Sequence, residues 1–150
     1  MTDDARDEWG EFPCTHLHFV DVPALTLDVR ARVTPEMRAG LAAHGLTGSF
    51  VVVTAQDPMG RPQSPDVNAR LAAKLQDRVA TLNIPFARVE ACSPDRSHCE
   101  ESVAVVSGRD AGVRLACEFE QLAIFWFDGD AFWIVPAKSS KHAVRLAPEH

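Results

Sequence analysis

The residues able to do chemistry fall in three places along the chain. The first is "VVVTAQDPMGRPQSPDVN", residues 51–68, where an apolar run ends in Thr54, Gln56 and Asp57 and leads to a helix start carrying Ser64, Asp66 and Asn68. The free N–H groups and positive dipole end of such a helix attract anions. Here Asp57 and Asp66 can fill that end themselves, which disfavours phosphate unless a cation joins them. A self-satisfied loop and helix cap is the plainer alternative.

The second place is Asp95, His98, Glu100 and Glu101. A histidine beside carboxylates can act as a general base or join an oxygen-rich metal site. The plainer alternative is a solvated hairpin loop. The third is a scatter of soft ligands: Cys14, His16 and His18 would share one strand face, and Cys92, His98 and Cys99 lie further on. Neither set has a standard zinc spacing, so no metal site is assigned, and no Cys–His nucleophilic pair is required by the linear order.

These residues need elements to position them. "HLHFVDV" and "LTLDVRARV" read as extended, the second alternating Leu25, Leu27, Val29, Ala31 and Val33 with polar residues. Thr34-Pro35-Glu36 starts a helix over about 35–44, closed by Gly45. "SFVVVTA" reads as a central strand apolar on both faces, and Ser64-Pro65-Asp66 caps a helix to about residue 82 with a stripe of Val67, Leu71, Leu75, Val79 and Leu82. "FARVEACS" and "ESVAVV" are strands joined by residues 94–100. Ser107 is expected to cap a third helix whose stripe is Ala111, Leu115, Phe119 and Leu122.

"AIFWFDGDAFWIVPA" reads as a hairpin about Asp128-Gly129. A two-residue loop would pair Phe125 with Phe132 and Ile124 with Trp133. One face then carries Ala123, Phe125, Phe132 and Ile134, and the other Ile124, Trp126, Trp133 and Val135. Both are apolar, so a second layer, a ligand or another subunit must cover the face the helices leave.

The chain divides into a flexible leader (1–13, with Trp9 and Phe12 as anchors), a single domain (14–137) and a polar tail (138–150) with a short strand near 143–146. The element order predicts an α+β fold: a mixed, mainly antiparallel sheet of about five or six strands with helices packed on one face. No glycine-rich phosphate turn follows a strand, which argues against a dinucleotide-binding fold.

At 150 residues the chain can bury a core without staples. Its net charge of −6 disfavours nucleic acid and anionic membranes as partners. The acidic N-terminus lacks the features of a secretory signal, which points to a cytoplasmic protein. Its four cysteines are then expected as free thiols. Plentiful Ala and Arg with little Asn suit a GC-rich bacterial genome.

Four pieces in order, Thr54-Ala55-Gln56-Asp57-Pro58, Asn68 with Arg70, Glu100-Glu101-Ser102, and Gln121-Leu122-Ala123, resemble the bacterial family catalogued as domain of unknown function 3293. The family pattern is T-A-x-N-P, a helix asparagine, E-x-S or E-E-S, and Q-x-A. Asp57 thus stands where asparagine is usual. The family brings no reaction with it; the resemblance implies that Thr54, Asp57, Asn68, Glu100 or Glu101, and Gln121 share a location. With Gln56, Arg70 and His98 they form the candidate ligand-binding set.

Three functions fit. The favoured one is a module binding a small molecule or a protein partner through this polar cluster. The second is a metal-assisted hydrolase or nuclease-like enzyme using Asp57, His98 and Glu101. The third is an interaction or homodimerisation module working through the aromatic hairpin 123–135. No catalytic residue or cofactor is assigned.

Overall fold

The computed structural model describes residues 9–10, 12–22, 25–139 and 141–146. Most of the expected leader (1–8 and 11), together with 140 and 147–150 of the tail, lies outside the described residues. Phe12, within the 3₁₀ turn Phe12–Cys14, stacks on Phe125 at 4.3 Å between ring centroids, and Trp9 packs against the same core.

In chain order the elements are β1 (His16–Phe19), β2 (Thr26–Asp28), α1 (Pro35–Ala43), β3 (Phe50–Thr54), a 3₁₀ turn (Pro58–Gly60), α2 (Pro65–Ala80), β4 (Phe86–Cys92), β5 (Cys99–Val105), α3 (Arg109–Glu118), β6 (Ala123–Phe127), β7 (Phe132–Pro136) and β8 (Val144–Arg145). The strands form one sheet in the order β2-β1-β4-β5-β3-β6-β7-β8, and every pairing is antiparallel. Among the described residues the sheet has eight strands in place of the expected five or six. Each stretch expected to be extended contributes a strand, and the short pieces β1, β2 and β8 join the same sheet at its two ends. β2 stops at Asp28 because its carboxylate accepts the Arg30 N–H at 2.9 Å and turns the chain.

Local chemistry sets the helix starts. Thr34 Oγ1 accepts the Met37 N–H and Ser64 Oγ accepts the Val67 N–H, each at 3.2 Å. The third helix departs from expectation: Gly108, not Ser107, is its N-cap, and it ends at Glu118. Leu122 therefore falls beyond the helix and is 42% exposed instead of buried.

Alternation splits each strand between two apolar clusters. Val51, Val53, Val103, Val105, Ile124 and Val135 meet Leu75 and Val79 of α2 and Leu115 of α3. On the other face Phe50, Val52, Phe125, Phe127, Phe132 and Ile134 join Leu17 and Leu27 from one end of the sheet and Leu146 from the other. Both ends contribute to one cluster because the sheet curls into a half-barrel. α1 supplies Leu41 to this inner cluster, so the helices do not all lie on one face. Close packing holds α3 down: a Cβ on Gly112 would meet Val51 Cγ1 at 2.6 Å.

The aromatic hairpin pairs Phe127 with Phe132, Trp126 with Trp133 and Phe125 with Ile134. Its loop is residues 128–131, longer than the expected two, because Asp128 Oδ1 accepts the N–H groups of Asp130 and Ala131 and Oδ2 accepts Trp133 Nε1, each at 2.8 Å. Shifting the pairing by two leaves each side chain on its expected face. Both faces are covered within the chain; Trp126 and Trp133 are half-buried beside α3, with Arg109 over the Trp126 ring at 5.9 Å.

Candidate functional site

β3 ends at Thr54, and the chain leaves the sheet through Gln56 and Asp57. Asp57 has φ 46°, in the left-handed region that Asn and Asp tolerate best. That conformation favours the short polar side chain found here. Three neighbouring segments fasten the turn. Asn68, in the first turns of α2, accepts the Asp57 N–H at 3.0 Å and donates Nδ2–H to Asp57 Oδ1 at 2.9 Å; the same Oδ1 accepts the Gln63 N–H at 2.9 Å. Gln56 Oε1 accepts the Glu101 N–H at 3.0 Å, while Thr54 Oγ1 donates to the Glu101 carbonyl at 2.9 Å. Gln121 is 8% exposed and donates Nε2–H to the Gln56 carbonyl at 3.0 Å. A strand end, a helix start, the β5 entry and the α3–β6 junction thus close on one loop.

Two clefts flank it. The first, about 260 Å³, combines the apolar surfaces of Trp9, Phe12, Leu122 and Ala123 with Thr54, Gln56, Asp57, Glu100 and Gln121. The second, about 320 Å³, is bounded by Gln56, Asp57, Gln63, Asn68, His98 and Glu101. Gln56 and Asp57 form the wall between them. Of the nine candidates, Arg70 alone lines neither cleft; it lies exposed on α2.

Successive residues on β5 point to opposite faces, which separates the two glutamates. Glu100 reaches the first cleft and Glu101 the second. Asp57, His98 and Glu100 each bring a ligand atom within 4.8 Å of the others, and His98 Nε2 lies 3.5 Å from Glu100 Oε2. The trio thus contains Glu100 in place of the Glu101 expected beside Asp57 and His98. Burial pushes the Glu100 carboxyl above its ordinary range and nearby Asp57 adds to the rise, against the pull of His98.

His98 is carried by the β4–β5 loop, which is firmly held. Asp95 Oδ1 accepts Ser93 Oγ–H, Ser97 N–H and Ser97 Oγ–H, and these bonds hold its carboxyl down at about 2. The His98 N–H donates to Ser93 Oγ at 3.1 Å, and the Ser93 N–H to the His98 carbonyl at 2.9 Å. A Cys92–Cys99 disulfide closes the loop base, where free thiols were expected. Seven residues of separation conceal that the two are directly paired across β4 and β5, with Cα atoms 4.1 Å apart. Cys14 and Cys117 are free.

His16 and His18 stand apart from the clefts. His16 Nε2 lies 3.7 Å from Asp28 Oδ2 and His18 Nδ1 lies 3.2 Å from Thr26 Oγ1, so strand β2 occupies them. The contribution of Trp9, Phe12 and Leu122 to a cleft wall went unread in the sequence. Trp9 and Phe12 fall in the expected leader and Leu122 at the end of the expected helix stripe.

The fold and site define a curled antiparallel α+β domain with a hydrogen-bonded polar loop between two clefts. Residues 53–124, which span that loop, α2, the β4–β5 hairpin and α3, match the family model described as "Protein of unknown function (DUF3293)". No curated protein and no solved structure matches the chain. Among the described residues, no helix is long and apolar enough to cross a membrane.

Proposed function

We propose that this domain is a small-molecule binding module, with the first cleft as its binding site. The supporting observation is the composition of that cleft. Trp9, Phe12, Leu122 and Ala123 offer a surface for an apolar body, and Gln56, Asp57, Glu100 and Gln121 offer acceptors and donors at one end. A few placed polar groups in a largely apolar hollow are the usual make-up of a ligand pocket. The polar wall is braced by its own hydrogen bonds, so little ordering would be required on binding.

A nuclease-like activity fits poorly with a chain of net charge −6. Dimerisation through Trp126 and Trp133 competes with contacts those rings already make within the chain. Thermal-shift measurements on the full chain, across a panel of amphipathic metabolites with and without added Mn²⁺, test the binding reading. A ligand at 100 times its Kd adds about 2.7 kcal/mol, and Phe12→Ala should weaken the response. A flat panel under both conditions overturns it.

A further inference from the structure

We propose that Asp57, His98 and Glu100 bind a first-row divalent transition-metal ion, of the Mn²⁺ or Zn²⁺ class, where the two clefts meet. Three separate segments supply the ligands: the β3 exit, the β4–β5 loop and the start of β5. Their ligand atoms lie within 4.8 Å of one another, and one pair is already at 3.5 Å. Bonds of about 2.1 Å to a shared ion place ligand atoms roughly 3 to 4 Å apart. His98, whose side chain is 68% exposed, has room to adjust.

The donor set selects the class of ion. Mg²⁺ and Ca²⁺ favour oxygen ligands throughout, whereas one imidazole with two carboxylates suits Mn²⁺, Fe²⁺ or Zn²⁺. Cys99 is spent in a disulfide and offers no thiolate, so the softer Cys-rich alternatives do not apply.

Groups outside the trio orient its ligands in the manner of outer-shell partners at metal sites. Asn68 Nδ2–H and the Gln63 N–H both bond Asp57 Oδ1, which turns that carboxylate and leaves Oδ2 for an ion. The His98 backbone is pinned on both sides by Ser93. Glu100 meets Asp57 in a sheltered position, where a dication would offset the repulsion between the two carboxylates.

Three protein ligands leave coordination positions open. Asp57 lines both clefts, Glu100 the first and His98 the second, so a bound ion would face both. This deepens the binding reading, on which its ligand class rests: the polar head of the small molecule would be an oxygen anion, a carboxylate or phosphate, held through the ion.

Calorimetry of the full, metal-stripped chain with MnCl₂ or ZnCl₂ alone tests the ion without any small molecule, so the metal site and the ligand panel can fail independently. One ion per chain is expected. Asp57→Asn, His98→Ala and Glu100→Gln should each weaken binding at least about 10-fold, while the remote surface change Glu36→Gln leaves it unchanged. Should a variant fail to fold, Mn²⁺ broadening of histidine ring signals in the unaltered protein decides. His98 must broaden first, ahead of His16, His18 and His44. Absence of binding by the unaltered chain, undiminished binding by the three variants, or broadening centred on another histidine overturns the proposal.

Discussion

The β4–β5 and β6–β7 hairpins flank β3 on its two sides and are held together by opposite means. β6–β7 is an aromatic structure: Phe127 and Phe132 pair with ring centroids 5.0 Å apart, Phe50 meets Phe132 edge-on at 5.8 Å, and Trp126 and Trp133 fill the other face. β4–β5 is tied at its far end by a disulfide and a serine–aspartate network, and its polar residues open onto the clefts. The difference teaches that apolar content and reactivity are allotted separately. The hairpin that stands out most in the sequence supplies rigidity, while the more ordinary-looking one presents the groups able to meet a ligand.

Three changes would break or sharpen this contrast. The largest effect is expected for Phe132→Ala, which empties a fully buried position between two aromatic rings. A loss of about 3 to 5 kcal/mol in urea unfolding is the usual size for such a cavity. A loss under 1 kcal/mol would show that the β6–β7 hairpin is not the rigid member of the pair.

Next comes the paired change Cys92→Ser with Cys99→Ser. Closing so short a loop is worth about 2 to 3 kcal/mol in the chain-entropy account. The unaltered chain should lose a similar amount in reductant, and the variant none. Equal midpoints with and without reductant would mean that the bond contributes nothing, leaving the serine–aspartate network alone to hold the loop.

The smallest effect, and the one specific to the cleft, is that of Glu100→Gln. Burial, reinforced by Asp57, raises this carboxyl above its ordinary 4.5. The folded state therefore holds the proton more tightly than the unfolded chain. The resulting stabilisation is present below the unfolded value and is lost as pH rises through the higher folded one. Well above the ordinary carboxyl range, without metal, ionising Glu100 opposes folding. Glu100→Gln should then have the higher urea midpoint, and the gap should close as pH falls toward the ordinary carboxyl range. A less stable variant at pH 7 would contradict this assignment.

Much of the frame was legible in the sequence because it follows from short-range rules. Thr34 and Ser64 announced their helices, the two-sided apolar run at residues 49–55 announced a central strand, and the period of two through Ile124–Val135 placed side chains on the correct faces even though the hairpin register was shifted by two. Features set by distant pairing were not legible. The disulfide depends on Cys92 and Cys99 facing each other across β4 and β5. The edge strands β2 and β8 were expected as extended segments, but their place at opposite ends of one sheet follows only from pairing. At the site, the order of the four family-like pieces anticipated polar residues that the fold brings to one loop. Which of Glu100 and Glu101 faces Asp57 depends on the parity of β5, which only the pairing with β3 and β4 determines.

The position of β3 carries one more consequence. Both adjacent hairpins connect residues close in sequence, whereas β3 precedes them in the chain and must be inserted between β5 and β6, some fifty to seventy-five residues away. Closing such long intervals is slow compared with forming a hairpin. Since the Gln56–Asp57 turn continues directly from β3, a nascent or partly unfolded chain lacks the partition between its two hollows. Formation of the two clefts is thereby tied to completion of the central strand.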